Sequence, residues 1–198
     1  MLGELNASKL TSVRVGVIGV GGVGSWSASA LVRSGVKKIA LVDPDIIVES
    51  NINRQCHANY GNLGKPKVVA MEEMLKQINP GVEVTGYEEE FCESNAKKIL
   101  DSSNVDYWID ACDSVKAKVS LASNIGKASG NRRTFLVCGA AGGKVNPHKF
   151  ICTDLGNAKN DALLSKVRYA LRRHYDFPRS TAMKVSCITS TELSKKSR

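Results

Sequence analysis

A glycine-rich segment places the strongest constraint on how this chain folds. Residues Gly19-Val-Gly-Gly-Val-Gly24 fit the pattern G-x-G-x-x-G, between a predicted strand at 13–18 and a predicted helix at 25–33. Asp43 follows Gly24 by 19 residues, at the end of the next predicted strand, where an acid can accept hydrogen bonds from ribose hydroxyls. The pattern predicts a loop that holds phosphate on backbone N–H groups; the alternative is a tight turn that only packs helix on strand.

The rest of the chain extends this unit into one sheet. Further strands are predicted at 38–42, 82–87, 106–110 and 134–138, with helices at 66–78, 115 to about 128, and 161–175. Parallel strands need crossover connections, which are usually helical. The alternation therefore predicts an α/β, Rossmann-like, mostly parallel sheet with helices on both faces. Ligands of such sheets bind beyond the carboxyl ends of the strands, where Asp113 and the segment 139–143 are also expected.

Composition fits a packed domain in a reducing compartment. The chain has 198 residues, of which 42% are hydrophobic, so it can bury a core without disulfides. Its six cysteines form no C-x-x-C pair, which argues against a zinc knuckle or a dithiol redox site. The N-terminal sequence lacks a secretory signal, and no run approaches the roughly 18 apolar residues that span a bilayer. We expect a cytoplasmic protein without a membrane segment.

Positive charge is concentrated near the C-terminus. Residues 151–198 carry 10 basic and 4 acidic residues out of a net charge of +9. Within the predicted helix at 161–175, apolar residues share one face and basic residues the other. A solvated surface or a membrane-surface helix are alternatives, but this pattern is suited to the phosphate backbone of RNA, with no DNA partner expected. The predicted RNA-binding residues are Lys144, Lys166, Arg168, Arg172 and Arg173.

Two segments after Asp43 favour ATP over NAD as the nucleotide. They are Asn51-Ile-Asn-Arg-Gln55 and Gly64-Lys-Pro-Lys67. Hydride transfer needs no cations beside the pyrophosphate, whereas phosphoryl or nucleotidyl transfer needs them where negative charge develops. Arg54 offers a planar fork and Lys67 a mobile point charge. Asp113, after a predicted strand, is a candidate Mg²⁺ ligand.

Taken in order, these motifs resemble the adenylating domain of the ubiquitin-activating-enzyme-like superfamily, which includes the activators of the molybdopterin and thiamine sulfur carriers. Four stretches are most similar to the tRNA threonylcarbamoyladenosine dehydratases: Asn53-Arg-Gln-Cys-His57, residues 109–116, residues 139–143, and Thr153-Asp-Leu155. The resemblance runs from about Leu2 to Glu192. It implies an ATP-dependent enzyme that adenylates the carboxylate of threonylcarbamoyladenosine in tRNA and cyclises it with loss of water.

The resemblance also implies roles for individual residues. Arg54, Lys67 and Cys187 would be catalytic, with Cys187 accepting the acyl group as a thioester. Asp113 would hold Mg²⁺. The ATP-binding set would be Gly19, Gly21, Gly22, Gly24, Asp43, Asn51, Arg54, Lys67 and Asp113. Asp45 is a second acidic candidate, or a cap on the turn after its strand.

The chain is expected to form one domain with two parts. Residues 1–155 are expected to form the ATP-binding adenylation domain, and 156–198 a basic segment of the same domain that is short relative to the family, as is the N-terminus. A homodimer is expected for the full-length form, and a sulfur-transfer partner is possible. The alternatives are an adenylating activator of a ubiquitin-like sulfur carrier, a shortened ATP- and tRNA-binding member with weak catalysis, or an NAD-dependent oxidoreductase.

Overall fold

The computed structural model describes residues 4–126 and 134–193, which form seven strands and six α-helices. The strands are Arg14–Ile18 (β1), Lys38–Val42 (β2), Glu83–Tyr87 (β3), Tyr107–Asp110 (β4), Thr134–Cys138 (β5), Phe150–Asp154 (β6) and Ser186–Ser190 (β7). The helices are Glu4–Ser12 (α1), Gly24–Arg33 (α2), Lys67–Ile78 (α3), Glu93–Ser103 (α4), Val115–Gly126 (α5) and Ala162–His174 (α6). None of the helices in these ranges combines the length and apolar character needed to cross a membrane.

All strands belong to one sheet in the order β3-β2-β1-β4-β5-β7-β6. Neighbouring strands are parallel except β6, which runs antiparallel to β7. The predicted Rossmann-like, mostly parallel fold is therefore confirmed. The strand order reverses between β1 and β4, and a crevice opens at such a switch point beyond the carboxyl ends of the strands.

Alternate residues of the strands face two hydrophobic layers. Val17 and Leu41 pack with α2 and α3 on one face of the sheet, while Ile18 and Val42 belong to the core formed with α4, α5 and α6 on the other. Helices therefore cover both faces, as predicted. The second core also contains buried residues of α6 and β7. Residues 156–193 therefore contribute a helix to this core and an internal strand to the sheet. The predicted boundary at residue 155 stays a prediction.

The sequence patterns missed four elements and placed the others within a few residues. β2 and β5 match their predicted ranges, and the helix predicted to about residue 128 is described only to Gly126. The unpredicted elements are α1, α4, β6 and β7. β7, with the sequence Ser-Cys-Ile-Thr-Ser, has no continuous apolar run. α4 is amphipathic, with Ala96, Ile99 and Leu100 buried on one face, but its other residues are polar, so it offers few apolar residues for a pattern to detect. β7 is held in the sheet by pairing with β5 on one side and with β6 on the other.

Candidate functional site

A large cleft lies at the carboxyl edge of the sheet, beside the switch point. Its volume is about 910 Å³, and residues from many separate stretches of the chain line it. The lining includes Gly19, Gly21, Gly22, Asp43, Asn51, Arg54, Gln55, Lys67, Asp113 and Gly139–Gly142. Every residue of the predicted ATP-binding set except Gly24 is among them. The fold thus brings residues from Ile18 to Leu163 to one cleft.

The glycines of the loop after β1 have two different tasks. Gly19 adopts a positive φ of +84°, and a Cβ on it would lie 2.7 Å from the backbone of Cys112. A Cβ on Gly24 would overlap with the carbonyl oxygen of Gly19. These two glycines therefore allow the loop to fold tightly against the strands. Gly21 and Gly22 have no backbone that close and face the cleft, which leaves room for a phosphate to approach.

Asp43 anchors the glycine loop from the end of β2. Its buried carboxylate accepts hydrogen bonds from the backbone N–H of Val20 (2.7 Å) and of Asp45 (3.0 Å). Burial raises the pKa of Asp43, against the lowering effect of these hydrogen bonds and of the nearby Lys67. Each carboxylate oxygen has a second acceptor site, so the side chain can fix the loop and still accept from a ribose hydroxyl.

Lys67 stands at the start of α3 and is held by two acids. Its buried side chain forms an ion pair of 2.6 Å with Asp45 and lies 3.7 Å from Asp43. Its backbone N–H also donates to the carbonyl of Asp45. The structure thus gives Asp45 the position of a partner that orients Lys67. An ammonium held in this way presents a fixed positive charge to the cleft.

Arg54 reaches the cleft from the turn that follows Asn51. Its Nη1 donates to the Ser50 carbonyl (2.6 Å) and to Asn53 Oδ1 (2.9 Å), which leaves Nε and Nη2 for an anion. Trp26 of α2 donates from Nε1 to the Arg54 carbonyl at 3.0 Å. Asn51 is buried, and its side-chain oxygen accepts from the Val48 N–H. This turn holds the aliphatic part of the Arg54 side chain beside Gly22, where an added Cβ would lie 3.4 Å from Cγ and Cδ.

Asp113 is an exposed carboxylate in the lining of the cleft. No cluster of three or more acidic, histidine or cysteine side chains that could hold a metal occurs in the described ranges. Mg²⁺ typically binds through one or two carboxylates with phosphate oxygens and waters, without an all-protein cage. A single carboxylate beside the glycine loop fits this mode of binding.

A buried ion pair supports the cleft and was not predicted from the sequence. Asp110, at the end of β4, and Lys118, in α5, have fully buried side chains with Nζ and Oδ1 3.0 Å apart. Asp110 Oδ1 also accepts from the backbone N–H and the thiol of Cys112. The turn held in this way packs against Gly19 and leads directly to Asp113. Spacing along the chain gave no signal for the pair, because a lysine at 118 is consistent with an exposed helix position.

Two further polar residues lie near the cations. Gln55 lines the cleft, is buried, and its Oε1 has no hydrogen-bond partner in the described part of the chain. His57 is 1% exposed and both of its ring nitrogens lack such a partner. Burial, with a contribution from Lys67, lowers the pKa of His57 to about 4. The unpaired Gln55 oxygen is buried in the wall of the cleft, and His57 is neutral in the folded protein.

Cys187 does not line this cleft. It lies in β7 opposite Val137 of β5 and Thr153 of β6, and it is fully buried. Burial raises the pKa of its thiol to about 12, with Asp154, Cys152 and Asp161 adding to the effect. The environment therefore opposes a thiolate. The expectation of an activated, accessible nucleophile at Cys187 does not match its surroundings, because β7 is an internal strand.

The predicted RNA-binding residues fall into two groups. Arg168 donates to the Leu155 and Ala158 carbonyls, and Arg172 to the Pro178 and Arg179 carbonyls. Lys144 donates to the carbonyls of Asn160 and Glu192. These three side chains fasten loops to the domain. Lys166 and Arg173, in contrast, are exposed on α6.

Comparison with known proteins gives consistent similarities. Residues 1–165 match the model of the ThiF family. The chain is 39% identical over 90% of its length to a tRNA threonylcarbamoyladenosine dehydratase of Haemophilus influenzae, covering 67% of that protein. Two crystal structures of the Escherichia coli tRNA N6-threonylcarbamoyladenosine dehydratase are similar to it. The complex with ATP has a TM-score of 0.91 and 34% identity, over 96% of this chain and 78% of that one. The complex with AMP has a TM-score of 0.94 and 33% identity, over 100% and 79%.

Proposed function

Because the chain belongs to the tRNA threonylcarbamoyladenosine dehydratases within the ThiF family, we propose that it uses ATP to cyclise threonylcarbamoyladenosine in tRNA with loss of water. One observation carries the proposal most directly. The glycine loop, Arg54, Lys67 and Asp113 line a single cleft at the switch point of the sheet. This arrangement places cations beside a phosphate-binding loop, as nucleotidyl transfer requires. The enzyme would act in the cytoplasm.

The first step forms an acyl-adenylate. A carboxylate oxygen of the threonyl group attacks the α-phosphorus of ATP, the bond to the bridging oxygen breaks, and pyrophosphate leaves. Negative charge grows on the phosphate oxygens during this step. Gly21 and Gly22 would offer backbone N–H groups to those oxygens, and Arg54 and Lys67 would stabilise the charge. Bound Mg²⁺, held by Asp113 and phosphate oxygens, would neutralise part of it.

The second step closes the ring. A nucleophile within the same modified nucleotide attacks the activated carbonyl carbon, and AMP leaves with the carboxylate oxygen. The oxygen of the lost water is thus carried away on AMP, which balances the dehydration against ATP cleavage. This step needs no protein nucleophile. A route through a Cys187 thioester would require β7 to open first, since its thiol is buried between β5 and β6.

A homodimer is a further part of the proposal. On the face of the sheet that carries α2, a concavity of about 700 Å³ is lined mainly by apolar residues of the strands, among them Val15, Ile109 and Leu136. The margins of α1 and α2 supply the rest of its wall. Symmetric dimers bury the same patch on both subunits, and a second copy would cover this apolar face.

The test is single-turnover reaction with threonylcarbamoylated tRNA, ATP and Mg²⁺. We expect release of pyrophosphate and AMP, and mass spectrometry of the nucleosides should show loss of one water. Arg54→Ala should lower kcat/KM by about 10²- to 10³-fold, as removal of one transition-state donor does. Lys76→Gln is the matched control, because Lys76 pairs with Glu72 on the exposed side of α3 and should leave the rate unchanged.

Three outcomes would contradict the proposal. Absence of pyrophosphate release with this tRNA would remove the catalytic assignment. Release that depends on a ubiquitin-like sulfur carrier, and not on tRNA, would favour the alternative activator function. Equal rates for Arg54→Ala and the unmodified protein would show that the cleft described above does not hold the reacting phosphate.

A further inference from the structure

A second concavity, separate from the nucleotide cleft, lies along α6 and is lined by arginines. Its volume is about 360 Å³, and its lining consists of Ser165, Arg168, Tyr169, Arg172, Arg173 and Arg179. We refer to it as the arginine pocket. Side chains of four arginines therefore border one concave surface, and no acidic side chain is among its lining residues.

Two of the arginines build the pocket. Arg168 lies between α6 and the loop after β6, where Nη1 donates to the carbonyls of Leu155 (3.1 Å) and Ala158 (2.7 Å). Arg172 donates from Nε to Pro178 (3.0 Å) and from Nη2 to the Arg179 carbonyl (3.3 Å). These bonds fix the loops at 155–158 and 178–179 relative to α6. They also bring the side chain of Arg179, from the loop after α6, to the same concavity.

The other two arginines remain available to a ligand. Arg173 donates from Nη1 to the Tyr169 hydroxyl at 2.6 Å, and its guanidinium carbon lies 5.8 Å from the centre of that ring. These contacts orient it and leave Nε and Nη2 for an acceptor. Arg179 is exposed, and its guanidinium has no hydrogen bond or ion pair within residues 4–126 and 134–193. Like charges held this close repel one another, and a bound anion would relieve the repulsion.

α6 connects the arginine pocket rigidly to the nucleotide cleft. Asp161 caps the helix: Oδ1 accepts from the Leu164 N–H (2.9 Å), while Oδ2 accepts from the Ala140 N–H (2.9 Å) and the Thr189 hydroxyl (3.2 Å). Ala140 and Leu163 both line the nucleotide cleft. Helix rise of 1.5 Å per residue puts Arg168 and Arg173 about 8 and 15 Å farther along the axis than Leu163. A phosphate in the pocket would sit at a set separation from the reacting centre.

We propose that the arginine pocket binds a backbone phosphate of the RNA substrate close to the nucleotide that reacts in the cleft. The inference rests on the proposed function for the identity of the RNA. The pocket's own chemistry selects a phosphate, because guanidinium forks match phosphate oxygens in bidentate pairs. Its rigid link to the nucleotide cleft favours a phosphate that belongs to a polymer, because one polymer can occupy the arginine pocket and the cleft at the same time. The pocket would position the RNA without reading its sequence.

Fluorescence anisotropy with a tRNA anticodon stem-loop tests the pocket, and calorimetric titration with ATP serves as the second measurement. Arg173→Gln and Arg179→Gln should each weaken RNA binding by about tenfold and reduce the salt dependence by about one phosphate contact. Arg179→Lys should restore part of the affinity, because it keeps the charge and loses the fork. ATP affinity should not change in any of the three. Lys76→Gln, which removes the same charge from α3, should bind RNA as the unmodified protein does.

Three results would overturn the proposal. RNA affinity equal to that of the unmodified protein in both glutamine variants would exclude the pocket. An equal loss in Lys166→Gln, on α6 but outside the pocket, would indicate a diffuse basic face. Binding to phosphatidylserine vesicles in place of RNA, lost in Arg179→Gln, would assign the surface to lipid. RNA binding through the pocket without turnover would refute only the proposed function, so the two failures are distinguishable.

Discussion

Removal of the buried Lys118 ammonium should destabilise the protein strongly. Asp110 and Lys118 are both fully buried, with Nζ and Oδ1 3.0 Å apart. Lys118→Met therefore leaves an unpaired carboxylate in the core. Only the backbone and thiol of Cys112 would then donate to Asp110 Oδ1, and Oδ2 already has no partner in the described part of the chain. Breaking a buried pair in this way costs about 3–5 kcal/mol. That is a large share of the roughly 5–15 kcal/mol that holds a typical domain folded.

Urea unfolding at neutral pH measures this loss. With a slope of about 2 kcal/mol per molar, the midpoint should fall by roughly 1.5–2.5 M. The double variant Asp110→Leu/Lys118→Met should recover most of the stability, because two apolar side chains replace the two charges. It should still bind ATP more weakly than the unmodified protein, since the Cys112 turn that packs against Gly19 loses its acceptor. A loss below about 1 kcal/mol in Lys118→Met would refute the reasoning, as would a double variant no more stable than the single one.

Three further predictions concern the loop, the buried histidine and assembly. Gly24→Ala should lower the free energy of unfolding by about 3 kcal/mol, because its Cβ overlaps with the Gly19 carbonyl. Gly21→Ala should keep the stability of the unmodified protein and bind ATP less tightly. Equal stabilities of the two variants in thermal unfolding would contradict this. The folded pKa of His57 is about 4 against 6.5 unfolded, so its contribution to stability is complete above about pH 6.5 and is lost as the pH falls toward 4, by about 3 kcal/mol in total. Between pH 6.5 and 4 the urea midpoint should fall less in His57→Gln than in the unmodified protein. The same dependence of the midpoint on pH in both proteins would exclude His57 as the cause. Sedimentation equilibrium should show a dimer that Tyr107→Glu, on the apolar sheet face, converts to monomer; a monomeric unmodified protein would reject the homodimer.

The sequence predicted the parts of the site that depend on local pattern. The glycine loop and Asp43 follow strands and Lys67 begins a helix, and parallel strands bring such positions to one edge. Arg54 was predicted from its motif in the connecting segment between β2 and α3. Spacing could not show the pairing of Lys67 with Asp45, nor the division of the glycines into packing and ligand-facing positions. Those depend on distances between segments. The nucleophilic role suggested for Cys187 rested on a local match alone, and the burial of β7 is a property of the whole sheet.

The sequence by itself determined the fold class and the family and predicted the position of the cleft, because hydrophobic periodicity and strand-end motifs are encoded within short segments. The tertiary structure alone decided which charges are free and which are structural. Arg168, Arg172 and Lys118 are cations of the same kind in the sequence as Arg173. Hydrogen bonds to backbone carbonyls of a neighbouring loop or to a buried carboxylate fix the first three in place. An arginine or lysine can contact a ligand only where the folded chain has not already taken up its hydrogen-bond donors, and the net charge of +9 carries no record of that difference.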